Sequence, residues 1–498
     1  MSRGLLIWLL VLPMAVLMGY MLATPTDFNS FAILLLGFAA ISLPILLKSH
    51  HLLLAWTWNA ALIVFFLPGQ PQLGTVLAFT SLGIAIVTRT MSKEKRFISV
   101  PAVAIPIIFL TTVVLITAKL TGGIGARVFG AETWGAKRYL SVFGAVVGYF
   151  AFTSQRVPRE KANLYLTAFF LGGLTLMISD LTFMAGPQFY FLYILFPSDY
   201  ASMQAITSES LMRLSGIAFA AAWAFYFLLG RFGIEGVFDL RRPWRLILLT
   251  LCGAGTLLGG FRGLTILLFL VFITQFFVEG VYKKRVGPAL IFATLIAVAA
   301  TVALIDRLPL SVQRAFSFLP LENIDPAARL DAQGTLDWRL KMWKTVVPEI
   351  PKYLFIGKGY GFSGTDYYLT QEAVRRGYYN AYEDTLVTGN YHNGILTLLI
   401  PFGVFGLAAF VWFCGSSMWL LVRNFRYGAP ALRATNTFLL AYFVARLLFY
   451  IVFYGQFDAD FYHFTGIVGL SIALNGGVSS PGTYEVEQMQ EEPELVPA

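Results

Sequence analysis

Apolar runs of about 15–22 residues, each closed by a short polar stretch, fill most of the chain. A helix needs about 20 residues to cross the hydrocarbon of a bilayer, so these runs predict transmembrane helices. About fourteen can be marked: Leu5–Leu22, Phe28–Leu47, Leu52–Leu67, Leu73–Thr88, Ile98–Ala118, Tyr139–Phe152, Leu164–Ala185, Leu211–Leu229, Leu246–Leu258, Gly263–Val278, Val286–Ile305, Gly394–Leu421, Ala434–Phe453 and Phe461–Leu474. A twelve-span reading is the alternative. The expected fold class is all-α, a polytopic transmembrane helical protein of about 12–14 spans.

One segment breaks the pattern. Residues 306–393 form the one long water-compatible stretch, and it ends Tyr391-His392-Asn393-Gly394 against a hydrophobic helix. Inside it, Thr335–Val347 reads as a helix, because Leu336, Leu340, Trp343 and Val347 repeat on one face of a 3.6-residue period. Arg339 falls at the edge of that face. A helix lying on the membrane surface would hold it near the bilayer, over any cavity there. The expected organisation is N-terminal membrane helices over 1–245, helices carrying the Arg262 turn over 246–305, a large extracytoplasmic loop with short helices over 306–393, C-terminal membrane helices over 394–474, and a disordered cytoplasmic tail over 475–498.

Composition agrees with this. The chain is 57% hydrophobic and 13% charged, with a mean hydropathy of +0.70. Soluble domains carry about 25% charged residues, so no single soluble core could absorb this much apolar surface. The net charge of +9 does not point to nucleic acid, because the basic residues cluster in short loops. Five such loops lie around residues 89–96, 156–161, 231–245, 283–285 and 423–433. All fall on one side if both termini are cytoplasmic, which is the positive-inside pattern. The 306–393 loop is then outside. Cys252 and Cys414 sit in apolar runs and offer neither a disulfide framework nor a metal site.

Few residues could carry chemistry. His392 precedes a helix whose positive end disfavours imidazolium, and a neutral imidazole can accept a proton. It could equally be an ordinary helix-entry residue. Arg262 lies in Gly259-Gly260-Phe261-Arg262-Gly263, a turn between two spans whose glycines let a bulky anion approach the backbone. Its guanidinium suits bidentate phosphate contact, although an interfacial arginine snorkelling to headgroups would look the same. Arg339 could be a solvated residue on an amphipathic helix. Arg446 and Asp180 are intramembrane charges, functional candidates or partners in structural ion pairs. His50 and His51 are expected in a short cytoplasmic loop, and His463 at the outer surface. Gly357-Lys358-Gly359-Tyr360-Gly361 matches no phosphate-binding fingerprint and reads as loop punctuation. Asp458-Ala459-Asp460 has the look of a metal site for nucleotide sugars, which are not supplied outside the cell. The loop tyrosines could stack on sugars or line the interface.

Three blocks together resemble the O-antigen ligase and O-antigen polymerase (Wzy-type) family of bacterial envelope glycan transferases. They are Leu257-Leu258-Gly259-Gly260-Phe261-Arg262-Gly263-Leu264; Trp338-Arg339-Leu340-Lys341-Met342-Trp343 with Leu354-Phe355-Ile356-Gly357-Lys358-Gly359-Tyr360-Gly361; and His392-Asn393-Gly394-Ile395-Leu396 through Gly406. A weaker fourth is Phe457-Asp458-Ala459-Asp460-Phe461-Tyr462-His463. The resemblance covers Arg245–Leu474. It implies an inner-membrane glycosyltransferase that moves a glycan from an undecaprenyl-pyrophosphate carrier to an acceptor hydroxyl at the outer face, without nucleotide or metal cofactor. By motif position, His392 corresponds to the essential histidine, and Arg262 and Arg339 to pyrophosphate-binding arginines. Arg446, Asp460, His463 and Tyr391 are further candidates for substrate contact. The expected partners are the lipid-linked donor, a glycan or lipid-linked acceptor and membrane lipids, not nucleic acid. Polymerisation of O-antigen, capsule or exopolysaccharide units is the first expectation and ligation to lipid A core the second. A lipid-linked oligosaccharide flippase is the rival from another class.

Overall fold

The computed structural model describes residues 28–67, 69–92, 97–125, 133–198, 213–379 and 383–482, with a few positions before residue 20. The first predicted span and the acidic tail lie outside the described residues. The helices before the polar segment are α1 (Phe28–Thr57), α2 (Leu73–Met91), α3 (Pro101–Leu120), α4 (Ala136–Phe152), α5 (Arg159–Ala185), α6 (Ser215–Val237), α7 (Trp244–Leu257), α8 (Arg262–Val278) and α9 (Val286–Ala303). Within the polar segment come α10 (Leu310–Phe316), α11 (Pro326–Val346), α12 (Gly364–Arg375) and α13 (Glu383–Thr388). Then follow α14 (Leu396–Tyr427), α15 (Arg433–Val452) and α16 (Phe457–Asn475). Among the described residues, seven helices are long and apolar enough to cross a membrane. The protein is therefore a nearly all-α polytopic membrane protein. Its sheet is one two-residue ribbon, β1 (Thr133–Trp134) antiparallel to β2 (Phe362–Ser363), which joins the α3–α4 connection to the polar segment.

The largest departure from the hydrophobic pattern is at α1. Two spans with a loop at His50-His51 were expected, but a single helix of 30 residues runs through both histidines, and residues 58–67 and 69–72 are irregular. Both imidazoles are buried rather than in a loop. His50 Nδ1 meets the Ser81 hydroxyl at 2.7 Å, and His51 bridges the Tyr165 hydroxyl and the Phe152 carbonyl. Burial with partners makes these polar residues compatible with a helix interior.

The core is aromatic. Trp58 stacks on Tyr462 with ring centroids 3.8 Å apart. It fits because α4 and α16 present glycines to it: a Cβ on Gly148 or Gly466 would come within 2.1 Å of the indole.

Two helices are broken, and both breaks are repaired from elsewhere in the chain. In α14, Pro401 is followed by Gly403 at φ 63°, outside helical geometry. The carbonyls this frees are taken by the glycine run: Ile400 and Pro401 accept from the N–H groups of Lys358 and Gly359, and Val404 N–H donates to Leu354. Irregular backbone is tolerated at membrane depth only when protein satisfies it in this way. Gly357 is required there, since a Cβ would lie 2.1 Å from the Pro401 carbonyl. The run expected to be loop punctuation is thus a plug for a broken helix. In α6, Gly233 breaks the helix and the Glu279 carboxylate accepts from the N–H groups of Ile234 and Glu235.

Contacts sort the helix termini into two ends. At one end, Val157 N–H reaches the Ala473 carbonyl, Arg423 reaches that of Ser479, and Lys284 pairs with Glu235. This end carries the basic loops. The other end carries the Arg262 turn, the polar segment and His392.

Candidate active site

The Arg262 turn is held by two further arginines. Gly260 adopts φ 63°, a left-handed conformation that favours glycine, as α7 turns into α8. The Gly259 carbonyl accepts from Arg213 Nε at 3.2 Å, and the Gly260 carbonyl from Arg314 Nη1 on α10. Arg314 also pairs with Asp331, and Arg213 stacks over Phe261. Arg262, the first residue of α8, donates from Nη2 to the Ala332 carbonyl at 2.7 Å. The turn therefore faces α11.

α11 starts at a cap that the sequence explains. The Asp325 side chain accepts from Ala327 N–H, and Pro326 occupies the first helical position. The helix is longer than the predicted Thr335–Val347, and it packs through a different face. Ala328, Ala332, Met342 and Val346 are buried, while Leu336, Leu340 and Val347 stay exposed. Arg339 still points inward, because it shares the face of Ala332 and Met342. Its guanidinium lies 5.4 Å from the Tyr454 ring centroid, and its Nε is buried with no hydrogen-bond partner.

His392 closes the third side. Its ring sits edge-on between Trp338, at 5.1 Å, and Tyr454, at 5.2 Å. Arg339 and His392 therefore share Tyr454. The backbone of His392 has φ 51°, in the left-handed region that is strained for a non-glycine residue. The strain is enforced by neighbours. The Asn393 side chain caps Leu396 N–H, and Tyr450 donates its hydroxyl to the Gly394 carbonyl at 2.6 Å. A Cβ on Gly394 would lie 2.3 Å from the Tyr450 carbonyl. Burial, then the charge of Arg339, lowers the His392 pKa to about 4, so the imidazole is neutral near pH 7. Its Nδ1 is buried and unpartnered.

The guanidiniums form one electrostatic group. Arg314 and Arg339 act on Arg262, and Arg314 acts on both Arg213 and Arg339. Burial and the Arg314 charge pull Arg213 down to about 10, and burial likewise lowers Arg339. The carboxylate acting on this group is Asp331, which the guanidiniums outnumber. Partly buried cations held together against such repulsion make a site suited to an anion.

Beyond these arginines lies a second polar group. Arg446 donates to Asp460 at 2.9 Å and to the Tyr442 hydroxyl at 3.0 Å. Asp460 also accepts from Gln456 N–H. His463, expected at the outer surface, packs against Trp223 inside the helix bundle. Asp458 pairs with Arg138 instead, so the two aspartates of the Asp-Ala-Asp run are engaged by different arginines. Among the described residues, no group of three or more metal-ligating side chains assembles. The Tyr391 ring is buried with Met342, Val346 and Ile400, and its carbonyl accepts from Trp343 Nε1, so it fastens α11 to α14. Asp180, the other intramembrane charge, accepts from Ile217 N–H.

The Arg446–Asp460 pair is nearly enclosed, with side chains 14% and 8% exposed. Removing one partner of such a pair costs about 3–5 kcal/mol, because the other is left as an uncompensated charge. Asp460→Ala is expected to lower the thermal midpoint of the purified protein by several degrees. An unchanged midpoint would show that the pair carries no stability.

Sequence reading missed Arg213, Arg314, Arg138 and Tyr454. A signal existed for Arg138: Lys137-Arg138 stands at the end of a span where the positive-inside pattern expects no basic residues.

An all-α bundle thus carries a group of partly buried arginines and a neutral histidine at one end. Residues 200–411, which contain Arg262, Arg339 and His392, match the family described as O-antigen ligase. Over that stretch, which is less than half of the chain, the protein is similar to the O-antigen ligase family. No curated protein matches the chain.

Proposed function

We propose that the protein transfers a glycan from an undecaprenyl-pyrophosphate carrier to an acceptor hydroxyl, with inversion and without a metal ion. The observation that carries this is the convergence of Arg262, Arg339 and His392 around Tyr454 and Ala332. In the proposed reaction, Arg262 and Arg339 bind the pyrophosphate. His392 takes the proton of the acceptor hydroxyl, whose oxygen attacks the anomeric carbon from the face opposite the phosphate. The glycosidic C–O bond forms as the bond to the phosphate oxygen breaks. Undecaprenyl pyrophosphate leaves with the electron pair, its growing charge matched by the guanidiniums.

Orientation follows from the loops around 156–161, 231–245, 283–285 and 423–433, whose lysines and arginines alternate with α5–α9 and α14. On that basis the cleft faces the exterior of the inner membrane. This does not depend on how many spans precede α2.

Polymerisation of O-antigen, capsule or exopolysaccharide units is the first reading of the product. Ligation to a lipid A core acceptor is the second, favoured by the description of the matching family. The test is reconstitution in vesicles with a lipid-pyrophosphate-linked repeat unit. Transfer with release of undecaprenyl pyrophosphate and an inverted anomer is expected in either case. A ladder of repeats on the carrier marks a polymerase, and a single transfer that needs added lipid A core marks a ligase. Movement of intact donor across the vesicle without bond cleavage would overturn the enzyme reading in favour of a flippase.

A further inference from the structure

Arg138 stands outside the stretch matched by the family, in the N-terminal half of the chain, yet it reaches the segment that carries His392. Every N–H-bearing group of its guanidinium is engaged. Nε and Nη2 both donate to Asp458 Oδ1, at 3.2 and 3.0 Å, and Nη1 donates to the Thr388 carbonyl at 2.7 Å. The guanidinium carbon lies 3.9 Å from the centre of the Tyr360 ring. The side chains of Arg138 and Asp458 are only 14% and 10% exposed. Asp458 is fixed in turn, since its carbonyl accepts from the Ser141 hydroxyl one turn along α4.

These contacts join four pieces of chain at one point. Arg138 is on α4 and Asp458 on α16. Tyr360 belongs to the run that plugs the break in α14. Thr388 ends α13, four residues before His392. The β1–β2 ribbon lies alongside and ties the residues just before Arg138 to those just after Tyr360. The chain from Thr388 to Gly394 contains two left-handed residues, Gly389 and His392; the N–H groups of Gly389 and Asn390 still donate to the Thr385 carbonyl, and beyond them the backbone leaves helical geometry. Its later part is held by Trp343 on the Tyr391 carbonyl and by Tyr450 on the Gly394 carbonyl, and its start by Arg138 on the Thr388 carbonyl.

We infer that Arg138, clamped by Asp458, is a positioning residue that sets the path of the His392 segment. The N-terminal helices thereby control the geometry of the cleft, although the pyrophosphate-binding arginines come from the matched region. A lysine cannot replace Arg138, because a single ammonium lacks the planar fork that reaches a carboxylate, a carbonyl and a ring face together. The inference rests on the reading of His392 as the base.

The experiment uses full-length protein in vesicles and two variants, Arg138→Gln and Asp458→Asn. Asp458→Asn keeps the side-chain shape and leaves the Thr388 bond in place. With donor and acceptor varied, kcat is expected to fall about 10²-fold in Arg138→Gln and less in Asp458→Asn, while KM for the lipid-linked donor stays within about threefold, since the arginines that bind it are untouched. Arg138→Lys is expected not to restore kcat. Hydrogen–deuterium exchange should rise in peptides covering residues 383–394 and stay unchanged in those covering α15. Full activity in Arg138→Gln would overturn the inference. So would a loss of activity in both variants with unchanged exchange at 383–394, or with donor KM raised in proportion. If Arg138→Gln does not fold, the same two readouts on Asp458→Asn decide. Should His392 prove dispensable in its own test, the base assignment falls, while the exchange result still reports on the clamp.

Discussion

His392→Ala is expected to abolish detectable glycan transfer while leaving expression, membrane insertion and binding of the lipid-linked donor intact. General-base assistance alone is worth about 10²–10⁴-fold, and a polymerising reaction that must repeat the step many times amplifies the loss. The side chain carries little of the fold, because the segment is held by Asn393, Gly394 and Tyr450 rather than by the imidazole. His392→Gln should be as inactive as the alanine variant, since it keeps hydrogen bonding but cannot accept the proton. The pH profile supplies a second check. A base works in its neutral form, so rate is lost as pH falls through its pKa. For the free enzyme that value is about 4 rather than the ordinary histidine value of about 6.5. The acid limb of kcat/KM, which reports the free enzyme, should therefore lie near pH 4. Bound pyrophosphate neutralises Arg339, so the acid limb of kcat should lie at higher pH. An acid limb of kcat/KM near 6.5, or residual activity in His392→Gln, would remove His392 from the role of base.

Arg262→Gln and Arg339→Gln are each expected to cost about 10²–10³-fold in kcat/KM, the range for losing one preorganised donor to a developing anion. Lysine should rescue neither fully, since a point charge does not reproduce a bidentate contact. The two variants differ in a way that separates their surroundings. Arg339 is the charge that, after burial, holds the His392 pKa down, whereas Arg262 does not act on His392. Arg339→Gln should move the acid limb of kcat/KM toward neutral pH, and Arg262→Gln should leave it in place. Identical shifts in both, or none in either, would contradict the arrangement around Tyr454.

The sequence carried the helices well because hydrophobic run length is a direct reading of bilayer thickness. It failed at His50-His51, where two adjacent polar residues look like a loop. The signal that would have kept the helix whole is tertiary: partners on α2, α4 and α5 that no local pattern displays. The inward placement of Arg339 was legible, but through the wrong face. The stripe of Leu336, Leu340 and Val347 is exposed, whereas the face that packs on protein is built from small and long residues such as Ala328, Ala332 and Met342. In a membrane protein, hydrophobicity does not separate lipid-facing from protein-facing surfaces. The glycine run at 357–361 was visible as a motif, but its purpose depends on the break at Gly403, 42 positions further along. Arg262, Arg339 and His392 could be singled out because each lies in a recognisable block. Arg213, Arg314 and Arg138 lie in none, and their contribution comes from carbonyls and carboxylates that only the fold brings near.

The central claim is that two guanidiniums and one uncharged imidazole act on the same bond. The most direct measurement is an experimental structure of His392→Ala trapped with its lipid-linked donor. The account predicts the pyrophosphate within hydrogen-bond reach of both Arg262 and Arg339, and the anomeric carbon facing the space left by the imidazole. A donor bound elsewhere, or one whose phosphates meet only one of the two arginines, would contradict it.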